Sequence, residues 1–74
     1  MPTLANNDEK TISQGVYAFC VTGALELQWR PLSAFKTIKG GIFTGADDDV
    51  IELPATTLKV INGGSNTITL LKVR

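Results

Sequence analysis

The sequence predicts a small all-β domain, a sandwich or a barrel of six to seven short, mainly antiparallel strands. From residue 16 to residue 74, short stretches that alternate apolar and polar residues are each interrupted by Gly, Pro, Asn or Asp. These interruptions recur about every 8–12 residues, which is typical of sandwiches and barrels. Many residues are β-branched, which favours strands over helices. The pattern does not give the strand order, and it does not separate a sandwich from a barrel.

The first predicted strand spans residues 16–22 and is apolar on both faces. One face holds Tyr17, Phe19 and Val21, and the other holds Val16, Ala18 and Cys20. Such a strand is expected to be central in its sheet or covered on both sides. Residues 24–29 alternate cleanly and predict a half-buried strand. Because Gly23 readily adopts the positive φ of tight turns, the two strands are expected to form a hairpin.

The remaining strands are predicted from shorter signals. Residues 30–34 form a loop or a single helical turn, 35–38 favour a strand over a helix, 39–41 form a turn and 42–44 a short extended piece. An acidic turn at 46–49 precedes a strand at 50–53, and strands at 57–61 and 67–73 flank a five-residue hairpin loop at 62–66. In the last strand, Leu71 and Val73 fall on one face and Ile68 and Leu70 on the other. Apolar residues on both faces indicate a second contact surface.

Residues 1–11 are polar and predict an arm that precedes a single β domain at 12–74. Such an arm is either a loose terminus or a segment that orders against a neighbouring subunit. The N-terminus lacks the basic start and apolar core of a signal peptide, and the longest apolar run is six residues. The chain is therefore expected to stay in the cytosol or to be assembled there into a larger structure.

The balance of energies in so small a chain predicts association. For 74 residues and 7.9 kDa, apolar burial contributes roughly 105 kcal/mol, while ordering the chain costs about 110 kcal/mol. Domains of this size are commonly supported by a disulfide, a metal or a partner. One cysteine forms no internal disulfide, and no set of metal ligands is evident. Oligomerisation or docking remains, and the zero net charge favours it.

The residues commonly used in catalysis are scarce. There is no histidine, the three serines fall in predicted loops without a matched base, and no phosphate-binding loop is present. An enzyme and a bound cofactor are therefore not expected. Basic residues are dispersed, which argues against nucleic-acid and membrane binding. Cys20 is expected to be a buried small apolar residue.

Two features of the sequence are compatible with ligand binding, although a purely structural role is the favoured interpretation of each. The carboxylates of residues 47–49 are oxygen ligands of the kind that Ca²⁺ prefers, but they lack the spacing of an EF-hand, so a solvated turn is the simpler interpretation. Trp29 and Tyr17 could stack on a sugar or a base, although one tryptophan at a strand end is more often core or interface.

Three features together resemble the small all-β structural proteins of tailed-phage virions, such as capsid decoration proteins and head-fibre modules. They are the polar N-terminal arm, the Gly-rich turns at 39–41 and 62–66, and the succession of strands at 49–54, 57–61 and 67–70. The resemblance implies a protein that binds a capsid lattice, often as a trimer, and reinforces it without covalent bonds. It also implies location in the virion, and in the host cytoplasm during assembly.

A non-enzymatic virion structural protein is therefore the leading functional hypothesis, with a homo-oligomer and a capsid as partners. The candidate interface residues are Tyr17, Phe19, Trp29, Leu71 and Val73, all of which could instead belong to the core. The alternative is a carbohydrate- or receptor-binding module of a fibre or adhesin, which predicts an exposed Trp29 beside polar residues. A small regulator that acts on one partner is a third hypothesis.

Overall fold

A computed structural model describes the protein over residues 3–30 and 34–74, without the side chains of residues 39 and 40. Within these ranges the chain is all-β. Its eight strands are β1 (Thr3–Leu4), β2 (Glu9–Ile12), β3 (Gly15–Val21), β4 (Leu25–Trp29), β5 (Lys36–Phe43), β6 (Asp47–Leu53), β7 (Thr56–Ile61) and β8 (Ile68–Lys72). The predicted fold class is confirmed, and the described strands exceed the expected six or seven because the N-terminal segment supplies two. The expected loop at 30–34 lies largely outside the described residues.

The strands form a sandwich of two antiparallel four-stranded sheets. Sheet A has the order β1-β8-β3-β6, and sheet B has the order β2-β7-β4-β5. When the two orders are compared position by position, each strand of sheet A corresponds to a strand of sheet B that directly precedes or follows it in the chain. Short connections therefore carry the chain from one sheet to the other, and among the described strands only β4 and β5 are consecutive and pair within one sheet.

This topology corrects two predicted hairpins. β3 pairs with β6 and β8 in sheet A, whereas β4 pairs with β5 and β7 in sheet B, so residues 22–24 cross between sheets. Residues 62–67 cross in the same way between β7 and β8. The turn residues were recognised correctly, but a tight turn followed by an apolar strand is equally compatible with a change of sheet.

The core lies between the sheets and, among the side chains that the structure describes, takes seven buried ones from each. Sheet A contributes Leu4, Tyr17, Phe19, Val21, Leu53, Ile68 and Leu70, and sheet B contributes Ile12, Leu25, Leu27, Ile38, Phe43, Leu58 and Val60. The rings of Phe19 and Phe43 meet across the interior with centroids 5.1 Å apart. The accessible surface is 4385 Å², close to the roughly 4,400 Å² that size scaling gives for a compact chain of this mass. The fold is therefore as compact as a typical monomer of its size.

The N-terminal segment is part of the sandwich and is not a separate arm. β1 pairs with β8 and buries Leu4, and β2 pairs with β7. The polar residues between them build the turn that changes sheets: Asp8 accepts a hydrogen bond from the backbone of Ala5 at 2.9 Å, and Asn7 adopts a φ of 70°. The polarity of residues 5–8 thus reflects turn chemistry, and the expected boundary between residues 11 and 12 falls inside β2.

The expected turn at residues 39–41 is instead a bulge within β5. Thr37 is opposite Gln28 and Ile42 is opposite Glu26, so β5 has extra residues at this point. A Cβ atom on Gly41 would lie 2.9 Å from the carbonyl oxygens of both Ile38 and Leu27. Glycine therefore permits the close approach of the backbone that the bulge requires.

Candidate docking surface

The outer face of sheet A is apolar at its centre. Tyr17 and Phe19 point into the core, so Ala18 and Cys20, which alternate with them in β3, point outward. Ala18 is directly opposite Val50 of β6 on one side and Leu71 of β8 on the other. The row Val50–Ala18–Leu71 therefore crosses three adjacent strands on one surface.

Six further residues, on or directly after the same three strands, surround this row. We define the outer face of sheet A as Val16, Ala18 and Cys20 from β3, Asp48, Val50 and Glu52 from β6, and Thr69, Leu71 and Val73 from β8 and the residue that follows it. Val50 is 55% exposed, Leu71 and Val73 are each 47% exposed, and Cys20 is also exposed. A shallow and mainly apolar depression runs across the middle of this face. Such a contiguous apolar surface is typical of an interaction site.

The five candidate interface residues divide between the core and this face. Tyr17 and Phe19 are buried, and the Tyr17 hydroxyl donates a hydrogen bond to the Ser13 carbonyl oxygen at 2.6 Å. Trp29 is half-buried against the core, and Leu71 and Val73 lie on the outer face of sheet A. The structure thus assigns the larger side chains of β3 to the interior and leaves the smaller ones outside.

Sequence reasoning missed the centre of the outer face. Ala18 and Cys20 were identified as one face of β3, and the strand is central in its sheet as predicted, but the face is not covered by another element among the described residues. Cys20 is exposed, contrary to the expected burial. The missed signal was size: Tyr, Phe and Val alternate with Ala and Cys, and the larger apolar side chains fill a core.

The edge of sheet A beside this face is formed by β6. All seven of its residues pair in unbroken register with β3, and no described strand pairs with its other side. The Val16 N–H donates a hydrogen bond to the Arg74 carbonyl oxygen, and the Val16 carbonyl oxygen accepts from the N–H groups of Val73 and Arg74. The backbone N–H and carbonyl groups of alternate β3 residues therefore point to β8, and those of the residues between them point to β6. By the same alternation, the N–H and carbonyl groups of Asp48, Val50 and Glu52 point away from β3 to the open edge.

Two of these outward N–H groups are occupied by side chains of β6 itself. The N–H of Asp48 donates to Oδ1 of Asp47 at 2.9 Å, and the N–H of Val50 donates to Oδ1 of Asp49 at 2.8 Å. The three aspartates belong to β6 and do not form the expected turn before it. Because successive side chains in a strand point to opposite faces, Asp48 is separated from the other two. No cluster of three metal-ligating side chains occurs in the ranges that the structure describes.

The outer face of sheet B is polar by contrast. The Thr11 and Thr57 hydroxyls hydrogen-bond at 3.1 Å, and Glu26 accepts hydrogen bonds from Gln28 and from Thr37. The Thr11–Thr57 and Thr37–Glu26 bonds link neighbouring strands across the face, and the Gln28–Glu26 bond lies within β4. Two apolar side chains flank Glu26 on this face: Ile42, which is 63% exposed on the edge strand β5, and the half-buried Ile61 of β7.

A second depression lies at one end of the sandwich beside Trp29. It is lined by Gln14, Trp29, Ile38, Glu52, Leu53 and Pro54. Trp29 packs against the core and is partly accessible at this depression. A single aromatic ring in this depression provides a small stacking surface.

The comparisons with known proteins add no relative. Comparison of the chain with protein-family models, with curated proteins and with solved structures gave no match. Over residues 3–30 and 34–74, the structure contains no helix long and apolar enough to cross a membrane.

Proposed function

We propose that this protein is a non-enzymatic structural protein that docks through the outer face of sheet A onto a larger protein assembly. The observation that carries the proposal is the exposure of Val50, Leu71 and Val73 around Ala18 and Cys20, on a sheet whose other face supplies half of the core. Covering this patch removes apolar surface from water and favours association.

The assembly that we propose is the capsid of a tailed phage, where the protein acts as a decoration protein. Three lines of support converge: the resemblance in strand and turn pattern, the zero net charge, and the small core of a 74-residue chain. Self-association into a closed oligomer, with a trimer favoured, is part of the same proposal. The protein would then reside in the virion, and in the host cytoplasm before assembly.

Co-sedimentation tests the docking proposal. The purified protein is mixed with heads of the phage whose genome encodes it, and the pelleted fraction is measured. Ala18→Arg places a charge at the centre of the face, and Gln28→Arg is its matched control at the same position in the order of sheet B. We expect Ala18→Arg to reduce pelleting at least about 10-fold and Gln28→Arg to leave it unchanged. Equal binding by the two variants, or no binding by the natural sequence, would contradict the proposal.

The accessibility of the Cys20 thiol provides a second test of docking through this face. It is the single cysteine of the chain and is exposed at the centre of the face. Docking through this face covers its thiol, so alkylation by a maleimide should be fast in the free protein and slow in the assembled one. Light scattering across a dilution series reports separately whether the free protein is a trimer or a monomer.

A second candidate function is carbohydrate binding at the depression beside Trp29. It is favoured by the placement of Gln14 beside a partly accessible indole ring. Titration with neutral mono- and oligosaccharides should then quench or shift the Trp29 fluorescence. A spectrum that does not respond to any sugar would count against this candidate and leave the docking proposal intact.

A further inference from the structure

The open edge of β6 and the outer face of sheet A form one continuous surface. Val50 belongs to both, because its side chain is part of the apolar row while its N–H and carbonyl groups point to the edge. Strand edges of this kind accept an added strand from another chain, with the backbone supplying affinity and alternate side chains supplying specificity.

The charges along β6 indicate which strand would fit. Asp48 and Glu52 flank Val50 on the outer face, and their direct neighbours on β3 are Cys20 and Val16, which carry no charge. An added strand would therefore be the one neighbour that can place charged side chains directly opposite these two carboxylates. Opposite charges at directly opposed positions stabilise a strand pair, and like charges destabilise it.

The same charges disfavour a second copy of this chain at the edge. In an antiparallel pair of β6 strands centred on Val50, Asp48 of each copy would lie opposite Glu52 of the other. In a parallel pair in register, each carboxylate would lie beside its own equivalent. Both arrangements place like charges directly opposite each other on one face, which destabilises the pair. The edge of β6 therefore disfavours pairing with the β6 edge of a second copy.

We infer that β6 accepts an extended basic segment of a different protein, added antiparallel as a further strand of sheet A. The segment has Lys or Arg opposite Asp48 and Glu52 and an apolar residue opposite Val50. Its carbonyl oxygens take the N–H groups that Asp47 and Asp49 now occupy, and this releases both carboxylates. The inference rests on the docking function proposed above and names the chemistry of the partner.

A short peptide tests the inference. The probe is a capped synthetic peptide, Thr-Lys-Thr-Val-Thr-Lys-Thr, which matches β6 in length, and it is titrated into the ¹⁵N-labelled protein. We expect the amide signals of Asp48, Val50 and Glu52 to shift, and the peptide to bind about 10-fold more tightly than its counterpart with Glu in place of Lys. The double variant Asp48→Lys/Glu52→Lys should reverse that preference.

A backbone control separates strand addition from simple charge attraction. The same peptide, N-methylated at its valine and both lysines, keeps its charge but loses the donors that pair with the edge. Binding that survives N-methylation, signals that shift elsewhere on the protein, or no shift at any concentration would each overturn the inference. Shifts of the β6 amides on concentrating the protein alone would identify a second copy as the occupant and overturn it as well.

The two proposals fail in different ways. If heads bind the natural sequence and the Asp48→Lys/Glu52→Lys variant equally, while Ala18→Arg abolishes binding, the basic segment is wrong and docking through the face stands. If heads bind none of them while the peptide still shifts the β6 amides, the edge accepts a basic strand and the capsid assignment is wrong.

Discussion

The outer faces of the two sheets differ although their inner faces are alike. Each sheet gives seven buried side chains to the core. Outside, β3 presents Ala18 and Cys20 between Val50 and Leu71, whereas β4, which has the same position in the order of its own sheet, presents Glu26 and Gln28. Packing of the core therefore does not determine the outer residues, and the apolar face of sheet A calls for an explanation outside the isolated chain.

The two sheets also differ in regularity. β6 at the edge of sheet A is paired without interruption along its whole length, whereas β5 at the edge of sheet B contains a bulge. A bulge twists an edge and hinders the pairing of another strand. The sheet with the apolar face thus also has the edge with regular pairing, while the other sheet has an edge with a bulge.

The largest expected effect separates the two faces of one strand. Leu70 is fully buried and Leu71, the next residue of β8, is 47% exposed. Leu70→Ala should lower the free energy of unfolding by about 2–5 kcal/mol because it leaves a cavity, whereas Leu71→Ala should change it by less than about 0.5 kcal/mol. Urea denaturation of the free protein measures both. Similar losses for the two variants would show that the face of Leu71 is covered in solution.

A smaller effect is expected at the bulge of sheet B. Gly41→Ala would place a methyl group against two carbonyl oxygens, and we expect a loss of about 1–3 kcal/mol in the free energy of unfolding. At Gly45 no atom lies within 4 Å of the position that a methyl group would take, and its φ is not positive, so Gly45→Ala should be neutral or stabilising by less than about 1 kcal/mol. Thermal unfolding of the two variants makes the comparison. An unchanged Gly41→Ala variant would mean that the bulge relaxes freely.

The smallest effect on stability is expected at the centre of the apolar face. Cys20→Ser should change the free energy of unfolding by less than about 0.5 kcal/mol, since the side chain is exposed. In that background, Val21→Cys moves the thiol by one residue to a position that is 1% exposed. A maleimide should react with Cys20 of the natural protein at least about 100-fold faster than with the buried thiol, which reacts only after local opening. Equal rates would contradict the assignment of the two faces of β3.

Alternation allowed the two faces of each strand to be separated from the sequence, but it did not identify the face that meets solvent. In the last strand, Ile68 and Leu70 were separated correctly from Leu71 and Val73, and they are the two that are buried. For β3, both faces are apolar, and only the packing of Tyr17 and Phe19 against the opposite sheet shows which one is the core. The candidate site was accordingly predicted in small part: Leu71 and Val73 were named as interface residues, whereas Val50, Ala18 and Cys20 were not.

Local chemistry determined the elements of this protein, and tertiary structure decided how they pair. The all-β class, most strands and the turn residues follow from alternation and from Gly, Pro, Asn and Asp, because these depend on backbone preferences within a few residues. The change of sheet at residues 22–24 and 62–67, the two strands within residues 3–12 and the open edge of β6 depend on partners far away in the chain. Those partners are selected by burial between the sheets, which no single stretch of the sequence encodes.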